Sequence, residues 1–196
     1  MNKGISLSCG DYIQFLNSGD VFIDSTVLSR VAGYCNLKRN ELLYGSIIYK
    51  YRNGKEGIRK YGKSCGRAVY FLTGDCINHQ AIFASKGCFE NCVFDKDNYR
   101  ICADREWMMR VKKKHVPFVC MNEIVVKYSL AAGSLSVENK ALSLQEERRC
   151  IIENYLWGYP IYFLFDFCRH NKYLKKGLHT IYKKLYISVR DDSSSK

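Results

Sequence analysis

The chain has 196 residues, of which 47% are hydrophobic and 26% charged. This is an ordinary globular balance with room for one domain or two small ones. A formal net charge of +12 points to a polyanionic partner: a phosphorylated substrate, an anionic membrane surface or nucleic acid. The 10 cysteines include no CxxC pair, and Met1 to Gly10 shows no apolar signal region. That argues against a secreted disulfide scaffold or a zinc ribbon, and predicts reduced core thiols in a cytosolic protein.

Asp11 to Leu16 is short, apolar and β-rich, and predicts a buried strand running into the turn residues Asn17-Ser-Gly-Asp20. Asp24-Ser-Thr then offers a helix start before Val27 to Val31. Leu42 to Tyr51 reads as a strand. Its hairpin partner, Gly57 to Tyr61, is reached through the turn signal Arg52-Asn-Gly-Lys55. Cys76 to Phe83 reads as another strand, and Ala103 to Lys114 as an amphipathic helix on the spacing of Trp107, Met108 and Val111. Two strands, Val116 to Cys120 and Glu123 to Tyr128, precede a long helix over Ser136 to Tyr155. The alternation predicts a mixed α/β domain over residues 1–135 and a basic helical extension over 136–196.

In that extension, the aromatic run Trp157 to Phe167 is interrupted by Pro160 and Asp166, and is shorter than a membrane span requires. From Arg169 to Arg190, cations interleave with Leu174, Leu178, Ile181, Leu185 and Ile187. The pattern suits a helix lying on an anionic membrane surface, and equally a packed helix with a solvated basic face. No helix-turn-helix or zinc pattern appears, so nucleic acid is not the expected partner.

Three constellations can carry chemistry. Asp20 closes a turn after a strand, where α/β proteins place ligands, and one carboxylate there can contact a hard cation; the same residues also simply make a turn. His79, in Asn78-His79-Gln80, can hydrogen-bond a sugar or phosphate, or be a satisfied core histidine. Asp104, in Ile101-Cys-Ala-Asp104-Arg-Glu106-Trp107, can be a helix cap or a general base toward a hydroxyl.

Taken in order, Met1-Asn-Lys-Gly-Ile5, Gly10 to Asp20, Tyr44-Gly45, Asn78 to Phe83, Tyr99 to Asp104 and Lys127-Tyr-Ser-Leu130 resemble glycosyltransferase family two. The similarity covers roughly residues 1 to 135 and is strongest to the branch that builds capsule, O-antigen and exopolysaccharide. The resemblance implies a partial Rossmann-like, type-A glycosyltransferase fold, a nucleotide-sugar donor (a UDP-sugar above all) and inversion at the anomeric carbon. It implies Asp104 as catalytic base, and Asn2, Lys3, Asn17 and Asp20 on the donor side. Asp20 would contact Mg²⁺ or Mn²⁺, and His79, Gln80 and Glu106 would face the sugar cleft. Asn17 and Gly19 stand where other branches carry carboxylates, and Ala131-Ala-Gly-Ser134 replaces a favoured Gly-Gly pair. The acceptor expected is a growing lipid-linked saccharide at the cytoplasmic face of the membrane. Relatives carry roughly half a domain before the segment matching Met1, which would supply most of the nucleotide pocket. The alternative expectation is therefore a non-catalytic fragment that binds a membrane surface or a partner.

Overall fold

Strand β3 (Leu42–Lys50) is the axis of the sheet. Its first half, Leu42-Leu-Tyr-Gly-Ser, is apolar on both sides and buried throughout, as a strand flanked on both edges requires. The computed structural model describes residues 1–51, 54–129, 139–171, 174 and 177. In chain order, α1 (Asn2–Leu7), β1 (Tyr12–Ile13), β2 (Val21–Phe22) and α2 (Val27–Ala32) lead into β3. Then follow β4 (Glu56–Arg59), α3 (Ala68–Leu72), β5 (Ile82–Ser85), α4 (Ala103–Lys113), β6 (Phe118–Ser129), α5 (Lys140–Tyr155) and α6 (Tyr159–His170). The sheet order is β1-β5-β3-β6-β2, with β4 beside the second half of β3. Among the described residues, only β3 and β6 run parallel and every other pairing is antiparallel. The architecture is α/β with a mixed sheet and C-terminal helices, consistent with a partial Rossmann-like domain.

Two local expectations change. The strand expected over Cys76 to Phe83 starts only at Ile82, because His79–Ala81 form a 3₁₀ turn closed by Ala81 N–H to Asn78 O at 2.9 Å. The two strands expected between Val116 and Tyr128 are one, β6, whose pairing with β3 shifts register between Tyr44 and Ile47. Asn122, at φ 54°, takes up the irregularity without ending the strand. Pro160, which breaks the aromatic run in the sequence, opens a helix in the structure: it lies in the first turn of α6, where its missing N–H has no partner to lose. Residues 52–53 of the hairpin turn, Ala131 to Ser134, the helix start at Ser136 and most of Arg169 to Arg190 lie outside the described residues.

Gly45 sits at the register shift. A Cβ there would lie 2.7 Å from Val125 Cγ1 and 2.8 Å from Glu123 O, on the bulged neighbour strand. Gly45→Ala is expected to lower stability by about 1–3 kcal/mol, the usual cost of overpacking a tight core. An unchanged urea midpoint in the variant would show that β6 yields freely at this point.

One hydrophobic core joins sheet and helices. Leu42, Ile47, Phe83 and Val126 from the strands share it with Met108 and Val111 of α4, Cys150 and Ile151 of α5 and Tyr162 of α6. Cys65, Cys88, Cys92, Cys102 and Cys150 are buried in it as small apolar side chains.

Candidate active site

Three loops meet beside the N-terminal end of α4. The first is the turn after β1. Asp20 N–H donates to Asn17 O at 3.1 Å, and Gly19 takes the left-handed conformation (φ 90°) that the third position of such a turn needs. The second is the 3₁₀ turn carrying His79. It is pinned from two sides: Gln14 Nε2 donates to Gln80 O at 2.7 Å, and the buried Tyr61 binds Asn78 through both its Oδ1 (2.5 Å) and its N–H (3.1 Å). The third is the start of α4 itself.

These turns align three of the expected site residues. His79 Nδ1 lies 2.9 Å from Asp104 Oδ2, and His79 Nε2 lies 3.2 Å from Asn17 Nδ2. Asn17, His79 and Asp104 thus form a continuous polar line across elements far apart in sequence. With Asn17 Nδ2 a donor only, the pairing assigns the acceptor role to His79 Nε2 and leaves the proton on Nδ1, directed at the Asp104 carboxylate. His79 and Asp104 side chains are each 24% exposed, so a solute can reach them.

Asp104 is not the helix cap. Cys102 holds that position and α4 begins at Ala103. Asp104 Oδ1 accepts the N–H of Arg105 at 2.7 Å, leaving Oδ2 for His79. Burial pushes the Asp104 carboxyl up, but the hydrogen bond of His79, with the N–H and guanidinium of Arg105, outweighs it and holds the group below the usual aspartate range. Asp104 is therefore a carboxylate at neutral pH, able to accept a proton from a hydroxyl as that hydroxyl becomes acidic during bond formation. Nearby Cys76 is no rival nucleophile: burial pushes its thiol up to about 12, so it stays protonated.

Beside this line lies a narrow cleft of about 10 Å³, room for about one water, with an aromatic wall. Phe15, Phe89, Phe94 and Trp107 line it together with His79 and Asp104. Phe89 and Trp107 stack with centroids 4.6 Å apart, and Trp107 faces the cleft one turn beyond Asp104.

Asp20 is 8% exposed. Its Oδ1 accepts the N–H of Ser129 at 3.2 Å, fastening the end of β6, while Oδ2 is buried without a hydrogen-bond partner among the described residues. An orphaned buried carboxylate oxygen fits a contact to a divalent cation. Among the described residues, no group of three His, Cys, Asp or Glu side chains could hold a metal alone. The fit is to a cation that takes one protein carboxylate and draws its other ligands from diphosphate and water, as Mg²⁺ does.

The remaining expected residues lie apart from this line. Asn2 spends its amide on Phe94, donating to the carbonyl at 2.8 Å and accepting from the N–H at 3.1 Å. Lys3 is exposed on α1. Gln80 is buried, with its Oε1 unpartnered among the described residues. Glu106 is not among the residues that line the cleft, and pairs with Arg110 at 2.6 Å.

Sequence reasoning missed the residues that hold the site in place. Glu146 of α5 accepts the N–H groups of Arg100, Ile101 and Cys102 at 2.8–2.9 Å, fixing the approach to α4. Arg105, 7% exposed, donates to Gly74 O and pairs at 3.6 Å with Glu147, which also pairs with Arg169 of α6. The adjacent acidic pair Glu146-Glu147 in an otherwise half-apolar helix was the available signal.

Comparison with known proteins points the same way. The chain resembles named glycosyltransferases. It is 30% identical over 111 residues to the PGL/p-HBAD biosynthesis glycosyltransferase of Mycobacterium bovis (strain BCG / Pasteur 1173P2), an alignment covering 56% of this chain and 41% of the relative. The figures are the same for the protein of that name from Mycobacterium tuberculosis (strain ATCC 25177 / H37Ra). The chain thus spans about two-fifths (41%) of the length of the curated relatives it matches. No protein-family model matches it.

Proposed function

We infer that this chain carries the base and acceptor side of an inverting glycosyltransferase acting in cell-surface saccharide or glycolipid synthesis. The observation that carries the reading is the Asn17–His79–Asp104 line, which holds an ionised, partly exposed carboxylate. Asp104 accepts the proton of the acceptor hydroxyl while that oxygen attacks the anomeric carbon, and the bond to the nucleoside diphosphate breaks on the opposite face. His79 holds Asp104 in orientation, and Asn17 holds His79. Asp20 would hold a divalent cation, which when bound would supply positive charge toward the departing diphosphate. A UDP-sugar is the donor class and a lipid-linked saccharide the acceptor class, which places the reaction at the cytoplasmic face of the membrane.

The test is a calorimetric titration of the purified chain with UDP in the presence of Mn²⁺. Saturable binding that disappears when Mn²⁺ is omitted, and that Asp20→Ala weakens about tenfold or more, is expected from loss of the one protein carboxylate. A folded chain, by circular dichroism, that binds neither UDP nor Mn²⁺ would mean that this chain does not hold the donor on its own, and would favour a non-catalytic binding module.

A further inference from the structure

Helix α6 has its polar and apolar faces the wrong way round for a helix in water. Its face toward the protein carries Tyr162 (1% exposed) and Asp166 (5% exposed), with Asp166 bound to Arg148 of α5 at 2.9 Å. Arg169 on the same side donates to Thr73 O at 2.5 Å and pairs with Glu147. The face toward solvent is hydrophobic: Phe163 is 60% exposed, Leu164 60%, Phe167 54% and Ile161 40%. Leu156 and Trp157, in the 3₁₀ turn leading into the helix, are 67% and 65% exposed. At about 100° per residue the exposed apolar side chains sweep roughly 160° of one surface. Scattered exposed apolar residues need no explanation, but a contiguous aromatic and aliphatic band of this kind marks an interaction surface.

We propose that the outward face of α6 is a membrane-docking face that inserts shallowly into an anionic lipid surface. Length excludes spanning: the 12 residues of α6 extend only about 18 Å against a hydrocarbon core of about 30 Å. Charge decides between lipid and a second copy of the chain. From Arg169 to Arg190 the sequence leaving α6 contains Lys172, Lys175, Lys176 and further cations but no acidic residue. A second copy of the chain carries the same excess of cations, whereas an anionic bilayer neutralises it. An exposed Trp at the start of the helix and Lys after its end is the distribution an interfacial helix uses to set its depth. The sequence pattern suggested a surface contact through the basic stretch; the structure adds the apolar wedge, on α6. This inference does not depend on the transfer chemistry.

The experiment is co-sedimentation of the full chain with vesicles of phosphatidylglycerol and phosphatidylcholine, beside vesicles of phosphatidylcholine alone. The wild type is expected to pellet with the anionic vesicles, and its tryptophan emission to shift to the blue, since Trp157 is exposed and Trp107 buried. The double variant Phe163→Ser, Phe167→Ser alters exposed side chains only, so its circular dichroism is expected to match the wild type while its partitioning falls about tenfold or more. Equal partitioning of wild type and double variant would overturn the proposal, by assigning binding to the basic stretch alone. So would a wild type that stays in the supernatant with anionic vesicles, or one whose sedimentation velocity shows a dimer that the double variant abolishes and vesicles do not disperse.

Discussion

Asp104→Asn is expected to lower transfer by about 10²–10⁴-fold, the range a positioned general base supplies, while leaving donor affinity nearly unchanged. The substitution is close to isosteric. An Asn oxygen can still accept the proton of His79 Nδ1, 2.9 Å away in the parent chain, so the loop geometry survives while the proton acceptor is lost. Loss of kcat with a constant KM for the donor is the signature of a group that acts in the transition state. Wild-type rates in the Asn variant would remove Asp104 from the chemistry and leave it a purely structural residue. The pH dependence gives a second readout that needs no turnover. The folded-state pKa of Asp104 is depressed, so its contribution to stability is present above the unfolded aspartate value of about 3.9 and is lost as pH falls through the lower folded value. Acid unfolding of the wild type below about pH 4 therefore includes a component that the Asn variant lacks. If the two acid titrations superimpose, the His79–Asp104 hydrogen bond does not form in solution.

That pair shows how far the sequence could be read. The short strand after Asp11, the Asn17-Ser-Gly-Asp20 turn, the hairpin of β3 and β4 and the amphipathic helix α4 were all legible, because each rests on local chemistry: apolar runs, turn residues and helical spacing. Asp104, His79 and Asn17 were legible as separate candidates and, through the family resemblance, as a base, a sugar-cleft residue and a donor-side residue. That they bond in a line was not, because His79 and Asp104 are 25 positions apart and Asn17 a further 62. What brings them together is tertiary: the antiparallel pairing of β1 with β5, Gln14 reaching Gln80, and Tyr61 reaching Asn78. The break between Asn78 and Ile82 was also hidden, since an apolar run with a polar triplet inside it reads equally as a strand or as a 3₁₀ turn entering one. For the same reason a single bulged strand read as two: Asn122 carries a turn signal locally, while eight register pairs with β3 hold the strand together across it. The face inversion of α6 was out of reach altogether. Sequence marks Trp157 to Phe167 as apolar but cannot say which side meets the protein, and intuition would have buried Phe163 and Phe167 and exposed Asp166.

Glu146→Ala is expected to cost about 3–5 kcal/mol of stability, more than any surface change, because it strips an acceptor from buried backbone donors. The Glu146 carboxylate is 5% exposed and receives the N–H groups of Arg100, Ile101 and Cys102 at 2.9, 2.8 and 2.8 Å. Those groups lie just before α4, where the chain turns into the helix and its amides cannot find intrahelical partners. Removing the carboxylate leaves each donor unpaired at a cost of about 1–3 kcal/mol, less whatever a water entering the vacated space recovers. For a chain of this size the loss corresponds to a fall in Tm on the order of 10 °C. Glu146→Gln keeps the shape but offers one acceptor oxygen and turns an NH₂ toward a donor, so an intermediate loss is expected. The decisive observation is local: amide exchange at Ile101 and Cys102 should accelerate in both variants by more than global unfolding accounts for, while amides of β3 should follow global stability. Unchanged protection at those positions would mean that the loop is held by other contacts. A positive result carries a consequence for the site. Asp104 sits two residues beyond the clamp, so the C-terminal helix α5, which contributes no side chain to the cleft, sets the position of the carboxylate that faces it. A misplacement of about 1 Å there is enough to cost on the order of 100-fold in rate. Activity in the Gln variant is therefore expected to fall further than its stability predicts.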